Sequence, residues 1–220
     1  MTLSAAPTGM VLRVGFWSAV LTAVFCIQFS IAAVLTEAGA LPAPWDVVLP
    51  FAPSLLLAPA FLAMLVSVNA VVPSDRKIWS QLGVAFAGVY VPLCASAYVV
   101  ELFVVEPRMM RGAAREMALL TLIRGDSVFN AIDGIGYVFM CLATLVAAPA
   151  FAGGRLQQWI RWLFVTNGIL AAPIFLTYFV NRQFIYAAAL WSITVSSSAI
   201  LLAIFFHRSG TVESLRHQLP

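Results

Sequence analysis

The chain has 220 residues, 62% of them hydrophobic and 10% charged, with a mean hydropathy of +0.98 and a formal net charge of +3. Soluble domains carry about a quarter charged residues, so this composition excludes a water-soluble fold and leaves an integral membrane protein. The small basic excess is scattered over short connections, without interleaved aromatic side chains, which excludes nucleic acid as a partner and makes membrane lipids the surroundings.

Six apolar runs follow in chain order, at about 11–35, 47–72, 82–105, 127–151, 159–180 and 184–206. Each is long enough to cross about 30 Å of hydrocarbon as a helix. None alternates apolar and polar residues over about ten positions, as a barrel strand would. The predicted fold is therefore all-α: a polytopic bundle of about six transmembrane helices, forming a single domain over residues 1–220. The first run begins near Arg13 and continues to Leu35. It is longer than the apolar core of a cleaved signal peptide and reads as a retained span.

Between the third and fourth runs, Arg108, Arg111 and Arg115 share one helical face, while Met110, Met117 and Leu120 share another. That pattern predicts an amphipathic helix near 108–124 lying in the membrane interface. Trp17, Trp45, Trp79, Trp159 and Trp162 fall near span ends, as an aromatic belt does, whereas Trp191 lies inside the sixth run.

Lysine and arginine set the orientation. The N-terminal segment, the second and fourth connections and the C-terminal tail hold Arg13, Arg76, Lys77, Arg155, Arg161, Arg208 and Arg216. The opposite side holds Arg108, Arg111, Arg115, Arg124 and Arg182. Seven against five favours both termini in the cytoplasm, in a multi-pass protein of a cell inner membrane.

Several chemistries are excluded. Lys77 is the only lysine and lies in a connection, so no span can form a retinal Schiff base. His207 and His217 are the only histidines, both near the C-terminus, which excludes bis-histidine haem and histidine-based metal sites within the bundle. Cys26, Cys94 and Cys141 stand one per span, with no Cys-x-x-Cys. They read as small buried apolar side chains. No cofactor and no metal is expected.

An ionisable residue inside hydrocarbon is a functional hypothesis by default. Here Glu37, Glu101, Asn130, Asp133, Asn181 and Arg182 all belong to the outer half. Tyr90, Cys94, Ala97 and Glu101 share one face of the third span, and Asn130, Asp133 and Tyr137 share one face of the fourth. If these faces meet, they enclose a polar pocket. Asp133 and Glu101 are then the candidate catalytic pair, one as proton donor and the other charged. Asn130, Tyr137, Tyr90, Asn181, Arg182 and Trp191 are candidate ligand-binding residues. The alternative is that the fourth helix begins at Asp133, making it a first-turn acid in the headgroup zone that the helix dipole favours.

The run GIGYVFMCLATLVAAPAFAGGRLQQWIRWLFVTNG, residues 134–168, resembles bacterial integral membrane proteins of six to seven spans and unknown function. In those, a Gly-Tyr helix ends in Ala-Pro-x-Phe and a Trp-Ile-Arg-Trp element opens the next. The resemblance implies a compact six-helix bundle and transfers no catalytic residue. Three functions follow: binding of a lipophilic small molecule or lipid in the outer-half pocket, with acid–base chemistry by intramembrane carboxylates; a small proton-coupled secondary transporter; or a non-catalytic subunit. A second copy of the chain or another membrane protein stays open as a partner.

Overall fold

A computed structural model describes residues 9–123, 127–179 and 182–216, and within these the side chains at 178, 179, 182, 185, 188 and 212–216 fall outside the description. The described residues form α1 Gly9–Glu37, α2 Trp45–Val71, α3 Lys77–Val100, α4 Glu106–Met109, α5 Ala114–Met117, α6 Val128–Ala147, α7 Arg155–Ile169, α8 Ala171–Phe179, α9 Ile185–Ala188 and α10 Trp191–Arg216. They contain six helical stretches long and apolar enough to cross a membrane. Val14, Leu21, Ile27, Ile31, Leu56, Val66, Phe103 and Ile193 point outward and are exposed. An aqueous protein could not present so continuous an apolar surface. The chain is a multi-pass integral membrane protein built as a helical bundle.

The six spans form a closed ring in chain order. α1 packs on α2, α2 on α3, α3 on α6, α6 on α7, α7 on α10, and α10 returns to α1. Small residues set the close approaches, as is usual where lipid supplies no hydrophobic force between helices. A Cβ added at Gly83 would meet the Ala147 Cβ at 2.8 Å, and one added at Gly168 would meet the Cβ of Leu145.

Aromatic side chains fill the ring's axis. Phe61 meets Tyr90 with ring centroids 5.6 Å apart, Tyr90 meets Tyr137 at 6.1 Å, Tyr137 meets Trp191 at 4.6 Å, and Trp191 meets Phe29 at 5.5 Å. This chain of contacts links five spans at separations typical of favourable aromatic pairs.

Polar groups inside the bundle are mostly spent locally. Ser18, Thr22, Ser30, Ser54, Ser67 and Thr177 each donate to a carbonyl of their own helix. Asn167 links three helices: its Nδ2 donates to Thr144 Oγ1 at 2.9 Å, and its Oδ1 accepts from Thr194 Oγ1 at 2.7 Å. Pro173 has no N–H to continue the ladder, and the fifth span breaks there into α7 and α8 at Leu170.

Three boundaries differ from expectation. The interfacial helix near 108–124 is not continuous: it resolves into the one-turn helices α4 and α5. Gly112 sits between them at φ +88°, a conformation that ends a right-handed helix. The third span runs further than residue 105, because Glu101–Val105 continues α3 in wider π-helical winding and leads directly into α4. The sixth span starts at Trp191 rather than at 184, after the separate turn α9, although no glycine or proline marks the break.

The close approaches predict a contrast. Gly168→Ala should destabilise the protein by about 1–3 kcal/mol, because a Leu145 Cβ cannot swing aside. Gly88→Ala, facing open space, should cost nothing. Thermal unfolding of both variants in detergent checks this, and equal melting temperatures would contradict the packing described.

Candidate functional site

α6 starts well before its carboxylate. Ser127 is the N-cap, in extended conformation at φ −85° and ψ 156°, and its hydroxyl accepts from the Asn130 N–H at 3.0 Å. Asp133 is therefore the sixth residue of the helix, about 7.5 Å along the axis from Val128. A first-turn position is excluded.

The spacing of Asn130, Asp133 and Tyr137 puts all three on one face, and that face lines a cavity of about 390 Å³. Its wall is completed by Phe29 and Ser30 of α1, Phe51 of α2, Tyr98 of α3, Ile174 and Thr177 of α8, and Trp191 and Ser192 of α10. These positions lie at the ends of the first, third and fifth spans and the starts of the second, fourth and sixth. The cavity therefore sits at one end of the bundle, opposite Gly9 and Arg216.

Within it, the Tyr98 and Tyr137 hydroxyls share a hydrogen bond of 2.7 Å. The Asp133 side chain lies beside Cys94 and Tyr98, and the Cys94 thiol donates to the Asp133 carbonyl at 3.6 Å. Asp133 Oδ1 is buried and accepts no hydrogen bond from the described protein atoms. Only Asp46 Oδ1 and the Tyr90 hydroxyl share that condition among the described buried side-chain atoms, and neither residue lines the cavity.

Glu101 is placed differently. It is fully buried, and both of its oxygens are engaged: Oε1 accepts from Thr121 Oγ1 at 2.9 Å and Oε2 from the Leu122 N–H at 2.8 Å. Leu122 in turn lines the cavity, and its carbonyl accepts from Asn130 Nδ2 at 2.9 Å. Glu101 thus fastens the loop that roofs the cavity, while Asp133 faces the cavity itself. The structure does not bring these two carboxylates onto a common partner.

Tyr90 is fully buried on the axis below the cavity, in contact with Tyr137. Trp191 joins the wall directly. Asn181 and the side chain of Arg182 lie outside the described residues. Sequence reasoning missed Tyr98, Phe29, Phe51 and Thr177 as wall residues. Tyr98 lies one helical turn from Cys94, a signal that the four-residue spacing carried. The others are ordinary apolar or hydroxyl positions with nothing to mark them.

No protein-family model, curated protein or solved structure matches the chain. Among the described residues no cluster of His, Cys, Asp or Glu could hold a metal ion.

Glu101→Gln should weaken the roof. Its amide group would face one of two donors, leaving a buried group unsatisfied at a cost of about 1–3 kcal/mol. Hydrogen exchange at the Leu122 amide should accelerate at least several-fold. Unchanged exchange would show that Glu101 does not hold the loop.

Proposed function

We propose that this membrane protein binds a lipophilic small molecule or lipid in the cavity between the ends of its spans, with Asp133 as the polar recognition group. One observation carries the reading: a mostly apolar cavity contains a carboxylate whose Oδ1 is buried and accepts no hydrogen bond from the described residues. Burying such a group without a donor costs several kcal/mol. A ligand that supplies a donor recovers that cost on binding. A volume of about 390 Å³ falls within the ~300–1,000 Å³ of small-molecule sites. Apolar walls with a few convergent polar groups are the usual composition of such sites.

Asp133 is the carboxylate that lines the cavity among the described residues, so the proposal rests on it rather than on a pair with Glu101. The resemblance of residues 134–168 to bacterial proteins supports a cell inner membrane as the setting. The seven-to-five distribution of Lys and Arg supports both termini in the cytoplasm, which puts the cavity at the outer end.

Protein purified in mild detergent should carry a bound molecule detectable by native mass spectrometry. Asp133→Asn, which keeps the shape of the side chain, should fold normally and lose most of that adduct. A variant that folds and retains the full adduct would overturn the reading.

A further inference from the structure

Resting on that reading, we infer that the ligand is a lipophilic cation: an apolar body carrying an amine or quaternary ammonium group that lies against Asp133 and the surrounding aromatic faces. The described lining residues contain no Lys, Arg or His, and Asp133 is their one ionisable carboxyl group. The hydroxyls on the wall have already spent their protons. Ser30 donates to the Cys26 carbonyl, Thr177 to that of Pro173 and Ser192 to that of Ala189. Asn130 donates one of its two Nδ2 hydrogens to the Leu122 carbonyl. The hydroxyls still offer a ligand oxygen lone pairs, while Asn130 keeps its second N–H and Trp191 its indole N–H. The Tyr98–Tyr137 pair retains one further proton, because one of the two hydroxyls donates to the other. The described wall thus mixes neutral donors and acceptors around one carboxylate, and a carboxylate with no described cation beside it favours a ligand that carries positive charge.

The aromatic side chains point the same way. Trp191, Tyr137, Phe29 and Phe51 contribute to the same wall, with Tyr137 and Trp191 centroids 4.6 Å apart and Phe29 and Trp191 5.5 Å apart. Ring faces attract cations, most strongly once water is excluded. A carboxylate beside several aromatic rings suits an ammonium group and repels a phosphate or carboxylate headgroup. An anionic lipid headgroup would find only neutral donors among the described lining residues, with a carboxylate beside them. Arg124 and the Arg182 side chain lie outside the described residues, so neutralisation of Asp133 by either is made an outcome of the test.

The test uses full-length protein in nanodiscs of zwitterionic lipid, with radiolabelled decyltrimethylammonium as the probe. Decyl sulfate and decanol, which share its chain but not its charge, serve as competitors. The expected result is saturable binding, competed by unlabelled decyltrimethylammonium and at least tenfold less well by the other two. Asp133→Asn should weaken binding by more than roughly tenfold, the loss expected when a desolvated charge partner is removed. Trp191→Phe should weaken it by roughly three- to tenfold, as a poorer cation–π face does. Correct folding of each variant is confirmed by its elution and melting behaviour. If decanol or decyl sulfate competes as well as the cation, the ligand class is overturned while cavity binding stands, as an arginine neutralising Asp133 would produce. If none of the three, each labelled in turn, binds saturably, binding in the cavity fails as well.

Discussion

Hydrocarbon does not forgive an unpaired polar group, and this constraint shapes the whole molecule. It forces the spans to be helices, whose backbone bonds close within each segment. It explains why serine and threonine hydroxyls inside the bundle turn back onto their own helices. It explains Asn167, which satisfies its amide by linking α6, α7 and α10 rather than by reaching water. Against that background Asp133 stands out from Asp46 and Tyr90, because its Oδ1 is buried without a donor among the described residues and lines a cavity large enough to admit one from elsewhere.

The cavity follows from how the ring is filled. Aromatic side chains from five spans close the axis at mid-bundle, from Phe61 through Tyr90 and Tyr137 to Trp191 and Phe29. Beyond Tyr137 and Trp191 the axis is no longer filled, and these two side chains become the floor of the cavity. The roof comes from the loop after α5. Glu101 holds it from one side through Thr121 and Leu122, and Asn130 holds the Leu122 carbonyl from the other. The two carboxylates of this end therefore have separate roles: Glu101 positions the roof, and Asp133 is exposed to whatever lies beneath it.

Much of this was legible in the sequence. Run length and hydropathy identify six spans because membrane thickness fixes helix length. The spacing of Asn130, Asp133 and Tyr137 placed three wall residues on one face because helical periodicity holds inside lipid as it does in water. What stayed hidden depends on tertiary geometry. Glu101 shares a face with Tyr90 and Cys94, as spacing implies, yet the π-helical winding that starts at this residue is marked only by Pro107 beyond its end. The interfacial segment keeps an amphipathic pattern of arginines and methionines, but Gly112 adopts a left-handed conformation and divides it. The start of α6 is signalled only by Ser127, whose capping hydroxyl makes Asp133 a second-turn residue rather than a helix-terminal one.

An experimental structure of the protein in lipid nanodiscs, prepared without added ligand, tests the central claim most directly. The account predicts elongated density in the cavity, with one end within hydrogen-bond distance of Asp133 Oδ1 and the rest against Phe29, Phe51 and Trp191. Asp133 bonded to a donor of the protein itself, with side chains filling the space, would contradict it.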